Sequence, residues 1–280
     1  MALFSFQADL MHTSISSPEN SHVKQAIHLR ERHWRNKTGL FLIEGYRELM
    51  RAHQAGVVIE QLFCCPELYL GTNEQSLIDS IEASGARILD CTEALFRKMS
   101  YRDRPDGLIA ICKQYCHDLE FLSQKLKTIP CPLIVVAEAI EKPGNLGTIL
   151  RSSDAAGAHG VIICNRCTDI FNPNVIRAST GILFCLPVVH SSSEEAISWL
   201  KKHGIMVLAA RPQAEKLYTQ IDMKRPLACV VGTEQLGLSE IWQNECDTQV
   251  RIPMCGAADS LNVAQATTLL LYEALRQRSG

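Results

Sequence analysis

The chain reads as an α/β protein in two parts, and three observations predict this. Short apolar runs alternate with stretches of helical spacing along nearly its whole length. Hydrophobic residues make up 46% of the 280 positions, enough for one large packed interior or two ordinary ones. The alternation breaks once, between about Tyr115 and Pro132, where Ile129-Pro130-Cys131-Pro132 disfavours a helix. The expected organisation is therefore a first domain over 1–115, a connection over 116–132 with room for a short helix around Leu119 to Leu126, and a second domain over 133–280.

Ser17-Pro18-Glu19-Asn20-Ser21 has turn and cap composition and introduces a helix over His22 to Arg35, with Val23 and Ile27 on one side. Phe41-Leu42-Ile43 follows Gly39 as a strand, and Tyr46 to His53 is a helix closed by Gly56. Val57 to Cys65 is a strand stopped by Pro66. Ser76 to Ala83 and Thr92 to Met99 are helical, with strands at Ala86 to Leu89 and Leu108 to Cys112. In the second part, Leu133 to Ala139 has the continuous apolar character of a strand covered on both faces. Asn145 to Ala156 is a helix stopped by Gly157, and Gly160 to Cys164 a strand. Then come a helix at Pro173 to Ala178, a strand at Leu183 to Val189, a helix at Ser193 to Lys202 and strands at Ile205 to Ala210 and Leu227 to Val231. Ser239 to Cys246 is a helix, Gln249 to Pro253 a strand, and Leu261 to Arg278 a long final helix.

Composition excludes several classes. The apolar content rules out a disordered chain, and no apolar run reaches the roughly 20 residues of a membrane span. Met1 to Ser14 carry no basic cluster ahead of an apolar stretch, so a secretory signal is not expected and the cytoplasm is. Twelve cysteines are scattered through apolar runs, as buried free thiols are. Cys164-Asn165-Arg166-Cys167 is a lone C-x-x-C without a second ligand pair, so no metal is expected. The formal net charge of −2 argues against a bulk polycation but leaves room for a local basic face.

Three stretches of the second part sit where a strand ends, the edge at which open α/β sheets gather ligands. Glu141-Lys142-Pro143-Gly144-Asn145-Leu146-Gly147 is a turn opening a helix, and Arg151 lies one helical turn beyond Gly147. It matches neither common phosphate-binding glycine pattern, and taken alone is equally a plain turn with a surface arginine. Gly232-Thr233-Glu234-Gln235-Leu236-Gly237 follows an apolar strand; Gly232 permits close backbone approach, and Glu234 suits a ribose hydroxyl, an arginine or plain solvent. Ile252-Pro253-Met254-Cys255-Gly256 leads into Asp259-Ser260-Leu261-Asn262, where Ser260 or Asp259 can cap the final helix and Asn262 falls in its first turn.

In this order and separation the three stretches resemble the SpoU/TrmH family of the SPOUT superfamily, RNA ribose 2′-O-methyltransferases. Asn145, Gly147 and Arg151 match its first motif; Gly232, Thr233, Glu234 and Gly237 its second; Ile252 to Met254, Gly256 and Ser260 to Val263 its third. Arg177 to Gly181 is similar to a segment of members acting on ribosomal RNA. Lys142 departs from the Asp or Asn that many members carry. The resemblance spans roughly Leu133 to Arg278, while Phe41 to Gly45 more distantly resemble the family's substrate-binding domain, itself similar to a small ribosomal RNA-binding protein.

The resemblance implies a trefoil-knotted domain that binds S-adenosylmethionine through backbone around Ala209, Gly232, Ile252 and Leu261. It implies Arg151 as the residue at the reacting ribose, oriented with the substrate by Asn145, Glu234, Ser260 and Asn262. Whether Arg151 takes the proton or holds a phosphate stays open, because a free guanidinium has a pKa above about 12. It further implies a homodimer formed through the final helix. The RNA, ribosomal or transfer, would meet basic residues on the first helix and beyond: Lys24, Arg30, Arg32, Arg35 and, in the second part, Arg177. Arg97, Lys98, Arg102 and Arg104 form a second basic run. The competing readings are a non-catalytic ribosome-assembly factor of the same fold and, more distantly, a nicotinamide-dependent enzyme lacking its usual glycine turn.

Overall fold

The computed structural model describes residues 13–165, 168–233 and 236–279. The chain divides into two compact units, Met1–Gln114 and Tyr115–Gly280.

The first unit runs β1 (Thr13–Ile15), α1 (Ser21–His28), α2 (Arg32–Thr38), β2 (Leu40–Glu44), α3 (Tyr46–Gln54), β3 (Ile59–Cys64), α4 (Glu74–Ala83), β4 (Arg87–Cys91), α5 (Glu93–Met99) and β5 (Leu108–Lys113). Its sheet has the order β1-β4-β3-β5-β2, with β5 antiparallel to both neighbours. The single helix expected over His22 to Arg35 is two helices, for a local reason. Arg35 turns inward, and its Nη1 donates to the carbonyls of Leu29 (2.9 Å) and Arg30 (2.7 Å). These carbonyls lie at the break after α1, where helix geometry leaves acceptors without partners.

The second unit runs α6 (Leu119–Leu126), β6 (Leu133–Glu138), α7 (Pro143–Ala155), β7 (Gly160–Cys164), α8 (Pro173–Ala178), β8 (Val188–Ser191), α9 (Ser193–Lys202), β9 (Met206–Ala210), β10 (Lys216–Leu217), β11 (Leu227–Val231), α10 (Glu240–Glu245), β12 (Thr248–Arg251) and α11 (Val263–Arg278). The sheet order is β10-β12-β9-β11-β6-β7-β8, and every pairing is parallel. All residues of β6, β7 and β11 are buried, as a parallel sheet covered on both faces requires. Leu122 and Leu126 of α6 belong to this unit's core.

One expected strand is corrected. Leu183 to Val189 is not a single strand: Ile182–Phe184 form a 3₁₀ turn and β8 begins only at Val188. Thr180 and Gly181 both adopt left-handed backbone (φ 53° and 81°), which reverses the chain before the apolar residues begin.

Helix α8 lies against the first turns of α7 because Gly147 has no side chain. A Cβ there would stand 2.6 Å from Ala178 Cβ, 2.8 Å from the Val175 carbonyl oxygen and 2.9 Å from Ser179 N. Two of these neighbours are backbone and cannot swing away. Gly147→Val should therefore destabilise the second unit by about 1–3 kcal/mol or more, the range for overpacked cores. The check is the urea midpoint, which should fall with the slope unchanged.

Candidate active site

Because all seven strands run the same way, the loops after β6, β11 and β12 emerge at one edge of the sheet. A cleft of about 410 Å³ opens there, lined by Ala210, Arg211, Gly232, Leu238, Ile252, Ser260 and Leu261 among others. Gly232 shapes one wall. A Cβ on it would collide with the backbone of Gly237, which bonds back to Thr233 through both amides (3.1 and 3.0 Å). Ala209 is fully buried in the core, so at the end of β9 the lining residues are Ala210 and Arg211.

The start of α11 lines the opening, and the start of α7 is bonded to it. The N-cap of α11 is Asn262, not Ser260 or Asp259: its Oδ1 accepts from Ala264 N at 3.0 Å. The same side chain donates through Nδ2 to Asn145 Oδ1 at 3.1 Å, in the first turn of α7. Ser260 is exposed in the loop before the cap. Arg151 is exposed on α7 and is not among the residues lining the cleft. The structure thus gathers Gly232, Ile252, Ser260 and Leu261 on one cleft and joins Asn145 to Asn262. Glu234 lies outside the described residues, as do Arg166 and Cys167 of the C-x-x-C stretch.

Sequence reasoning missed Glu138. It closes β6 with 2% of its surface exposed and has no cationic partner among the described residues. Four donors hold its carboxylate: Ser239 N (2.9 Å), Ser239 Oγ (2.5 Å), Asn165 Nδ2 (3.0 Å) and, more distantly, Ser193 Oγ (3.4 Å). Trp242 Nε1 in turn donates to Ser193 Oγ at 2.9 Å. Ser239 is the residue at which the Gly232–Leu238 loop passes into α10, so Glu138 anchors the exit of the cleft wall from beneath. The available signal was a carboxylate inside a strand expected to be covered on both faces, which must find donors.

Losing an anchor of this kind frees the loop before it unfolds the unit. Glu138→Ala should speed amide exchange at Gly237, Leu238 and Ser239 by about tenfold or more, since bonds to a charged group contribute about 1.5–3 kcal/mol. Exchange in β7 should stay slow. Equal acceleration throughout the sheet would make Glu138 a general core residue instead.

The basic residues expected to meet RNA divide into two sets. Lys24, Arg32 and Arg177 are exposed, with Lys24 paired to Glu19 at 2.5 Å. Arg35 is corrected: at 1% exposure, with its guanidinium directed at main-chain carbonyls, it does not reach a phosphate. Arg30 is half-buried and donates to the carbonyls of Lys98 (2.6 Å) and Ser100 (2.7 Å), which ties α1 to the end of α5. Arg102 likewise serves the interior of the first unit, donating to the Glu44 carbonyl at 2.6 Å. On the outside, Trp34 stacks on His28 at 4.5 Å between ring centres, with the Lys37 ammonium 4.9 Å from its centroid.

With this geometry in place, comparison with known proteins is informative. Residues 132–272, half of the chain, match the SpoU rRNA Methylase family, and residues 20–110 match the MRM3-like substrate binding domain. The 23S rRNA (uridine(2479)-2′-O)-methyltransferase of Streptomyces viridochromogenes is 30% identical over 256 residues, covering 89% of this chain and 87% of that protein. A crystal structure of an RNA 2′-O ribose methyltransferase is 43% identical, covers 96% of this chain and 100% of its own, and superposes with a TM-score of 0.82. The AdoMet-bound rRNA methyltransferase of Sinorhizobium meliloti is 31% identical over 94% of this chain and 97% of its own, with a TM-score of 0.85. The strand-end motifs, the parallel sheet that aligns them and these matches over both units make the chain a member of the SpoU rRNA methylase family.

Proposed function

We propose that this chain methylates a ribose 2′-hydroxyl of ribosomal RNA with S-adenosylmethionine as donor. The observation that carries the reading is the cleft at the strand ends, whose wall is drawn in by Gly232 and which the start of α11 lines through Leu261, Val263 and Ala266, next to the bond between Asn262 and Asn145. The residues present fit the cofactor. Ile252, Leu261 and Leu238 offer apolar surface for a purine ring, and the loop main chain offers N–H and C=O groups for its edge. When bound, the cofactor supplies an electrophilic methyl group. The protein's task is then mainly to place the hydroxyl in line and exclude competing nucleophiles. Arg151, exposed on α7, suits the RNA backbone beside the reacting ribose; its guanidinium holds a phosphate, and the hydroxyl proton leaves through that phosphate or water. Asn145 and Asn262 fix the helix starts against which that ribose is oriented, and Ser260 and Glu234 complete the set. Lys24, Arg32 and Arg177 contribute phosphate contacts.

Three further features belong to this reading. A trefoil knot in the second unit is supported by the return of α11 to α7 and β11 although β12 lies beyond β9, and by the bonds of the 221–225 segment to its last turn through Gln277 and Arg278. The active form is a homodimer through α11, where Leu269 and Tyr272 remain 40% and 47% exposed. The enzyme works in the cytoplasm, where ribosomal RNA is at hand; among the described residues no helix is long and apolar enough to cross a membrane.

Two measurements test the reading. Arg151→Ala should lower single-turnover methylation of ribosomal RNA by about 10²–10³, the usual loss for one positioned transition-state group, with S-adenosylhomocysteine affinity within a few-fold of wild type. Restoration of the rate by saturating RNA would make Arg151 a binding residue only. Sedimentation at low micromolar concentration should give about twice the chain mass of 31.2 kDa, and a fully active monomer would overturn the dimer.

A further inference from the structure

We propose that Arg211 holds the carboxylate of the cofactor's amino-acid tail; the inference rests on the reading of this chain as an S-adenosylmethionine-dependent enzyme. Arg211 directly follows β9 and lines the cleft at the strand ends. Among the described lining residues it is the one side chain that carries a positive charge at neutral pH. The one carboxylate of that described lining, Asp259, is exposed and not paired with it, so the charge of Arg211 is not neutralised within the cleft.

The guanidinium is fixed in place, yet most of its donors stay available. Its Nη1 donates to Gln249 Oε1 at 2.9 Å. Gln249 is held in turn: its Nε2 donates to the Gln243 carbonyl at 2.9 Å, and Gln243 Nε2 donates to the Leu238 carbonyl at 2.6 Å. Gln243 and Leu238 both line the cleft, so this chain of bonds ties the guanidinium to the cleft wall. The main chain is fixed as well, with Arg211 N donating to the Val250 carbonyl at 2.8 Å. Among the described residues Nε and Nη2 have no hydrogen-bond partner, and neither is sealed from solvent. These two nitrogens form an edge of the guanidinium that takes a carboxylate in two parallel bonds.

The ligand group follows from the cleft and the cofactor together. A guanidinium has donors only, so its partner is an acceptor and, to balance the charge, an anion. S-adenosylmethionine carries one anionic group, the carboxylate of its methionyl part. Its adenine and ribose are uncharged, and its amine and sulfonium are cations that an arginine repels. Apart from Asp259 the rest of the described lining is apolar or neutral; Ile252, Leu261 and Leu238 suit the ring, and none of them discriminates a carboxylate. A fork of donors set among apolar walls attracts an anion more strongly than the same fork in bulk water.

The test uses the full chain and isothermal titration calorimetry with S-adenosylhomocysteine and with its decarboxylated analogue, which keeps the adenosine, the sulfur and the amine. Wild type should bind S-adenosylhomocysteine about tenfold tighter than the analogue, the usual size of a hydrogen-bonded contact between charged groups. Arg211→Gln and Arg211→Met should each reduce that preference to about twofold or less, and each should bind the analogue at least as tightly as wild type does. Equal binding of the two compounds by wild type overturns the assignment without any variant. So does a preference that survives either substitution; if RNA binding weakens at the same time, Arg211 serves an RNA phosphate instead. Loss of the analogue in both variants overturns it too, because Arg211 is then part of the frame of the cleft. The two readings fail separately: equal binding by wild type refutes only the role of Arg211, whereas binding of neither compound refutes the methyltransferase reading beneath it.

Discussion

The start of α11, which lines the cleft of the second unit, depends on one side chain that works in two directions. Asn262 accepts from Ala264 N and so starts α11 at Val263, and it donates to Asn145 and so ties that start to the first turn of α7. An aspartate would keep the cap and lose the donor; a serine would shorten the reach. Further along, Ser152 Oγ and Thr268 Oγ1 meet at 2.7 Å, so the two helices stay in register as they leave the sheet in the same direction. The far end of α11 is held separately: Arg278 donates to the carbonyls of Met223, Cys131 and Arg225, while Gln277 bonds to Ile221 and Met223. With both ends fixed, the loop from Ile252 to Leu261 joins two anchored elements, β12 and α11.

Much of this arrangement was legible in the residues. Runs such as Leu133–Glu138 and Leu227–Val231 are apolar throughout because both faces of a parallel sheet are covered, and that pattern survives without any knowledge of partners. The cleft residues were legible as glycines and short polar residues placed just after those runs. What stayed hidden depends on direction rather than composition. Arg35 looks like its exposed neighbours Arg32 and Lys37, yet it points inward, because the break after α1 leaves carbonyls for it to satisfy. Leu183 to Leu186 are apolar enough for a strand, but the left-handed residues Thr180 and Gly181 commit them to a turn. Glu138 was hidden because four donors from Asn165, Ser193 and Ser239 converge on it from separate loops.

The net charge of −2 does not describe the surface that a partner meets. In the first unit several arginines serve the interior: Arg102 is paired with Glu48, while Arg30 and Arg35 donate to main-chain carbonyls, which carry no net charge. Burial pushes the Glu44 carboxyl above its ordinary range, while bonds from Ser100 and Tyr101 and the charge of Arg102 act in the opposite direction. The formal count therefore includes charges that never face a phosphate. What a partner meets is the smaller exposed set, together with the Trp34 face beside His28 and Lys37.

The same economy extends to the second unit's cleft, whose walls are mostly apolar side chains and main chain. A cofactor that brings its own activated methyl group needs little acid–base help, so the demand on the protein is geometric. Geometry of that kind is lost through looseness rather than through removal of a charge. Beneath the Gly232–Leu238 loop lies a buried carboxylate that has no cationic partner among the described residues. Glu138 reaches no cleft surface, yet it binds both the amide and the hydroxyl of Ser239. A neutral residue in its place would satisfy these donors less well, and the cost of burying the carboxylate is offset by the hydrogen bonds it accepts from Asn165, Ser193 and Ser239.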